Sequence, residues 1–253
     1  MDIFFPRKKI VLDCFTSHQA AYDLFPIAPT RDHAPQWWKS MPKTRSEKAD
    51  DMYALTTLKS CRGLIDFYQN GFAIPLWSDL SIQVGTVEQP YYRYQFADQA
   101  SAVIKHDGLQ WDAWLSPAEW INLKIISPWA IHNRYDTKFL FTDPTWNRTN
   151  FKDYALLNGV TEFKYQHASH VNIMVPYAQD QFRTFQLDAG DPIAMLMPLT
   201  EKTIELKHHL VSHEEFYRKQ IQIVKFQNNW SFVKKNKESR CPFNHGSSRS
   251  TDR

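Results

Sequence analysis

The stretch Gly159–Leu196 reads GVTEFKYQHASHVNIMVPYAQDQFRTFQLDAGDPIAML. Short β-branched and apolar runs alternate with polar residues and are divided by small turn-forming pairs. That is the pattern of antiparallel strands joined by tight turns. The same stretch carries His167 and His170, three residues apart, together with Glu162 and Tyr165. It speaks clearly about fold and less clearly about chemistry.

Working outward, the same texture continues. Candidate strands are Ile10–Phe15, Phe72–Trp77, Leu80–Val84, Tyr91–Phe96, Trp120–Ile126 and Lys138–Thr142. They are followed by Val160–Tyr165, His170–Val175, Thr184–Leu187, Ile193–Met197 and Ile204–His208. Turn pairs such as Asn158-Gly159 and Ala189-Gly190 separate several of them. Helices are expected at His18–Phe25, with Ser17 as N-cap, at Leu58–Gln69, stopped by Asn70-Gly71, and at His213–Asn228. The last opens on a capping box, Ser212 to Glu215. Four prolines between Pro26 and Pro42 mark a loop-rich stretch holding Trp37-Trp38. No repeat or composition break divides the chain, so 1–240 is read as one domain and 241–253 as a disordered tail.

Composition narrows the function classes. The 253 residues are 43% hydrophobic and 23% charged, ordinary for a soluble globular protein. Only seven glycines are present, and neither GxGxxG nor GxxxxGK[ST] occurs, which argues against a dinucleotide or P-loop site. A net charge of +3 makes nucleic acid a disfavoured partner. The basic run from Phe216 to Arg240 reads as a solvated helix face. Cys14, Cys61 and Cys241 form no CxxC pair, so a reducing compartment is expected. Neither a membrane-length apolar run nor a signal peptide is seen, which places the protein in the cytoplasm, or in the virion if it is viral.

Three constellations can carry chemistry. His167 and His170 would point to opposite faces of a strand, so one metal ion joins them only if they lie in a turn or a helix. His132 and His208 are the further candidate ligands, with iron or another divalent metal as the implied cofactor. The aromatic content of 15% includes nine Trp, eight of them between Trp37 and Trp146. Most should fill the core, and Trp37, Trp38, Trp77 and Trp129 are the candidates for ligand contact. An extended Trp37-Trp38 pair would leave one ring outside. No GxSxG motif or readable Cys–His pair supports nucleophilic catalysis.

Two resemblances add to this. Gly159-Val160-Thr161-Glu162-Phe163-Lys164-Tyr165 and Gly190-Asp191-Pro192-Ile193-Ala194-Met195-Leu196 resemble the central motifs of dUTPase-type β-clip proteins. Ala20-Ala21-Tyr22-Asp23-Leu24 is similar to another of that family's motifs. The resemblance implies a β-clip core, with Glu162 as the carboxylate that assists the attacking water and Tyr165 beside it. Glu162 is one methylene longer than the family's Asp, Pro192 replaces an Arg, and the Ser-Gly phosphate motif and Gly-rich arm are missing. Separately, Ala34-Pro35-Gln36-Trp37-Trp38-Lys39, Ile74-Pro75-Leu76-Trp77-Ser78-Asp79, Ser127-Pro128-Trp129 and Ala189–Ala194 resemble a protein family of bacteria and of tailed phages of marine bacteria. That likeness implies an origin and transfers no activity.

The expected architecture is therefore α+β and mainly antiparallel β. It has a β-clip or jelly-roll-like core, an N-terminal helical part and a C-terminal helix. The leading functional expectation is a non-catalytic binding or structural module, with a phage among its expected settings and with a small molecule or a protein, including a second copy, as partner. The alternatives are a metal-dependent oxygenase on a jelly-roll barrel and an altered nucleotide hydrolase of dUTPase type.

Overall fold

A computed structural model of the chain describes residues 9–45, 55–86, 90–98, 101–110, 119–148, 152–178 and 180–227. In chain order its elements are β1 (Ile10–Thr16), α1 (Gln19–Leu24), β2 (Ala28–Pro29), α2 (Gln36–Ser40), β3 (Thr44–Arg45), β4 (Leu55–Thr56) and α3 (Arg62–Asn70). Then come β5 (Phe72–Pro75), β6 (Leu80–Thr86), β7 (Pro90–Phe96), β8 (Val103–Lys105), β9 (Trp120–Ile125), β10 (Ala130–Asn133) and β11 (Lys138–Thr142). The rest are β12 (Ala155–Leu156), β13 (Gly159–Glu162), β14 (Val171–Pro176), β15 (Phe182–Leu187), β16 (Pro192–Pro198), β17 (Ile204–Leu210) and α4 (His213–Gln227).

The fold is α+β and mainly antiparallel β, as the alternating pattern requires. The strands form five small sheets, ordered β10-β1-β17, β13-β11-β16-β5-β2, β12-β14-β9-β8, β15-β6-β7 and β3-β4. Among the described residues none of these sheets closes into a barrel. One pairing is parallel: β1 runs beside β17 from Ile10↔Ile204 to Thr16↔Leu210. It stitches the start of the chain to its late part.

One large apolar cluster joins the sheets. It includes Leu12, Ile74, Leu80, Ile82, Leu123, Trp129, Phe139, Phe163, Ile173 and Leu196. The strand pattern explains the sidedness: Val171, Ile173 and Val175 of β14 are buried, while Asn172 between them is partly exposed. A satellite cluster of Ala34, Leu64 and Tyr68 holds α3 against the N-terminal loops, with Trp38 and Phe67 packed on it. Leu64 and Tyr68 stand four apart, on one helix face.

Two glycines are fixed by geometry. Gly190 has φ +89, in the left-handed region, and lets the Asp188–Asp191 turn fold back onto the end of β5. Its amide donates to the Leu76 carbonyl at 2.7 Å, and the Leu76 amide donates to the Asp191 carbonyl at 2.8 Å. Gly71 stops α3 as expected, but not through a left-handed cap, since its φ is −91. A Cβ there would lie 2.5 Å from the Met197 sulfur and 3.0 Å from the Thr30 side chain, so a larger residue would have to displace them.

Local departures from the sequence reading have physical causes. The cap of α1 is His18, whose Nδ1 accepts the Ala21 amide at 3.2 Å. Ser17 instead pairs with Nδ1 of His213 at 3.1 Å. Trp37 and Trp38 lie on the short helix α2, not on an extended segment. The strand expected through Tyr165 ends at Glu162, because the amides of Tyr165 and Gln166 both donate to the Glu162 carbonyl at 3.0 Å and turn the chain. Ser212 caps α4 as read, accepting from the Glu215 amide at 3.2 Å, and the Glu215 carboxylate pairs with Lys219 at 3.5 Å. The expected tail at 241–253 and the helix residue Asn228 lie outside the described residues.

Candidate ligand-binding cleft

The β12-β14-β9-β8 sheet turns one face to the core; its other face is buried at Met174 and Asn122 and opens at the neighbouring Asn172 and Lys124. On that face Asn172 of β14 stands directly opposite Lys124 of β9. His170, two residues before Asn172, falls on the same side by the period-two rule. His106, just past β8, is drawn in by its amide, which donates to the Asn122 carbonyl at 3.0 Å. The chain from Gly159 to Thr161 in β13 and Phe141 of β11 close the other side. Together these residues line a cleft of about 380 Å³.

The cleft has an apolar wall and a polar floor. Phe141, Leu156 and Val171 supply the first; His106, Lys124, Gln166, His170, Asn172 and Thr161 supply the second. The His106 ring is held at both nitrogens, by Gln110 Oε1 at 2.8 Å and Asn172 Oδ1 at 3.1 Å. Two other lining groups are left over. Nδ1 of His170 and Oγ1 of Thr161 are buried and have no hydrogen-bond partner. A buried polar atom without a partner costs about 1–3 kcal/mol, so such a pair on one cleft needs an explanation. The His170 ring is pushed down to about 4, first by burial and then by the charge of Lys124. It is neutral at neutral pH.

A second cavity, of about 190 Å³, lies between β1, β10 and α4. It is lined by Phe15, Ala130, Ile131, His132, His167 and Lys219. The rings of His132 and His167 meet edge to face at 4.9 Å. Burial lowers the pKa of both; for His167 the neighbouring His132 adds to the effect. Beside them His209 Nε2 contacts Asp13 Oδ1 at 2.8 Å, and its ring stacks on Phe15 at 4.6 Å. The Lys219 ammonium caps Phe15 at 3.8 Å.

The structure thus separates His167 from His170. They go to different cavities, and only His132 and His167 come together. His208 points to the opposite side of β17, where Nε2 contacts the Ile27 carbonyl at 2.8 Å and the ring meets the edge of Trp129 at 5.6 Å. Among the described residues no three His, Cys, Asp or Glu side chains are grouped as a metal ion would require. Glu162 pairs with Lys138 at 3.7 Å across β11–β13 and lines neither cavity. The Tyr165 hydroxyl is 3.5 Å from Asp136 and is likewise outside both.

Of the four candidate tryptophans, Trp77 and Trp129 are buried, Trp38 is partly buried and Trp37 is exposed. Trp77 is 2% exposed, donates to Ser101 Oγ at 2.6 Å and stacks on Phe96. Trp129 is fully buried, and its indole nitrogen has no partner. Trp38 donates to the Leu58 carbonyl and packs between Tyr68 and the Lys59 ammonium. Trp37, the most exposed of the four, donates to the Trp146 carbonyl at 3.0 Å. Trp111 and Trp114 lie outside the described residues.

Sequence reasoning reached His170 but missed His106, Lys124 and Asn172. The available signal was register: once β14 and β9 pair, Asn172 and Lys124 must share a face. Neither strand says alone which partner it takes.

No family model and no curated protein matches the chain. Solved structures that align with it include an Asp-to-Asn mutant dUTPase from phage phi11 of S. aureus, described with a structural Mg(II) ion. The identity is 14% over 67% of this chain and 97% of that one, with a TM-score of 0.28. A Gly-to-Ser mutant dUTPase of Staphylococcus bacteriophage 80alpha with dUpNHpp aligns at 12% identity over 67% and 88%, also with a TM-score of 0.28. At that score the alignments carry no argument, and the fold class rests on the strands themselves. Among the described residues no helix is long and apolar enough to cross a membrane.

Proposed function

We propose that this protein is a binding module whose ligand is a small molecule held in the cleft between His106 and His170. The observation that carries the reading is a cleft of ligand size whose lining sets Lys124, Asn172 and the clamped His106 ring against Phe141 and Leu156, with buried, unpartnered polar atoms of His170 and Thr161 beside it. An apolar wall facing a few fixed polar groups is the usual make-up of a small-molecule site. His106, clamped by Gln110 and Asn172, gives that floor a set orientation before any ligand arrives.

The catalytic alternatives have less support. An oxygenase would need His132, His167, His170 and His208 to converge, and they are spread over two cavities and a core contact. A dUTPase-type hydrolysis would centre on Glu162 and Tyr165, whose side chains are engaged with Lys138 and Asp136. A cytoplasmic or virion setting is supported by the thiols: Cys14 is buried and Cys61 exposed, and both are free.

The test is a fragment screen of the full chain by histidine-labelled NMR, with neutral, anionic and cationic fragments. Binders should move the His106 and His170 ring signals together and leave His132 and His167 in place. His170→Phe, which fills the cleft, should abolish these shifts without unfolding the chain. Fragments that bind only elsewhere would contradict the reading.

A further inference from the structure

The cleft floor is one-sided in charge. Lys124 is its cation, two imidazoles flank it, and among the described residues no Asp or Glu lines it. Lys124 is close enough to His170 for its charge to oppose protonation of that ring. A cationic ligand would meet the same repulsion. A neutral ligand would satisfy hydrogen bonds but leave the ammonium uncompensated within the cleft. An anion answers this need: its oxygens accept from the Lys124 ammonium, and charge-assisted bonds of this kind are roughly twice as strong as neutral ones. The wall opposite, Phe141 and Leu156, suits an apolar body rather than a second charge.

Resting on the reading of this cleft as a ligand site, we propose that its ligand is an organic monoanion. A carboxylate sits on Lys124, beside the His170 ring, and a compact apolar body lies against Phe141 and Leu156. Seating the anion places the negative partner that the free ring lacks. Binding therefore draws one proton onto His170, and affinity rises as pH falls toward the point where the ligand's own carboxyl group protonates, near pH 4.

The experiment pairs acids with their neutral and cationic counterparts: benzoate, benzamide and benzylamine, then octanoate and octanamide. Each is titrated into the full chain by calorimetry and by NMR of the His170 ring. The carboxylates should bind ~10-fold or more tightly than the amides. Their affinity should rise several-fold between about pH 8 and about pH 6, with proton uptake seen as a heat that depends on the buffer. Lys124→Met, at a half-exposed position, should remove most of the preference while leaving the melting temperature near wild type. If amide and acid bind equally, or benzylamine binds best, the anion proposal falls, yet the cleft remains a small-molecule site so long as His170→Phe abolishes that binding. If none of the probes moves the His170 signals, the anion proposal falls; if the neutral and cationic fragments of the wider screen do not move them either, the binding-site reading falls with it.

Discussion

The two histidine cavities look alike by composition and differ in how their polar atoms are spent. Under α4, the imidazoles and charges contact one another: His132 with His167, His209 with Asp13 and Phe15, and Lys219 over that same Phe15. This is a self-contained cluster that fixes a helix on a sheet. In the cleft of β14 and β9, His106 is clamped, but His170 Nδ1 and Thr161 Oγ1 are left with nothing. A count of histidines cannot separate a structural contact from a receptive site; the linings can, with an apolar wall facing Lys124, His106 and Asn172 in one and a mutually engaged cluster in the other.

The comparison can be broken most severely at a core residue bonded to the turn that parts His167 from His170. Trp129 precedes β10, and its carbonyl accepts from Ser169, in the turn that parts His167 from His170. Trp129→Ala should destabilise the fold by about 3–5 kcal/mol, read from urea unfolding, and should disturb the NMR signals of all four cavity histidines. Disturbance of one cavity alone would mean that they are not built on a shared wall.

Acid separates them more finely. A histidine held below its ordinary value of 6.5 in the folded chain binds its proton more readily when unfolded. Its full contribution to stability is present above about pH 6.5 and is lost as pH falls toward the folded value, about 4 for His170. The loss is up to about 3 kcal/mol over that window. His132, His167 and His208 add losses of the same sign. His170→Leu should flatten the dependence more than His132→Leu and, by removing an unpartnered nitrogen, cost little at neutral pH. An unchanged acid slope in His170→Leu would contradict the burial assigned to it.

The smallest effect belongs to the helix contact. Lys219→Met removes the cation above Phe15 and should cost about 0.5–1 kcal/mol, measured by thermal melting, with no change at the cleft.

Much of the fold was legible because strand burial leaves a period of two. Lys138–Thr142 is found with the bounds expected, and the α4 cap follows from Ser212. Short strands escaped notice: β8 and β10, at three and four residues, are too brief to show alternation, and they exist through partners far away in sequence. The parallel pairing of β1 with β17 left no local trace for the same reason. Of the site, only His170 stood out, because it lay in a stretch already marked by strands. Lys124 and Asn172 looked like ordinary outward residues, and pairing across β9 and β14 gives them a joint role. Glu162 drew attention through a motif likeness, but the short end of β13 puts it against Lys138.

The most direct test of the account is a titration of the histidine-labelled chain with benzoate, following the His170 ring. The account predicts that the His170 and His106 signals shift together and saturably, that the His170 ring gains a proton, and that His132 and His167 stay unmoved. Saturable shifts at His132 and His167, with His170 silent, would show that the wrong cavity has been taken for the site.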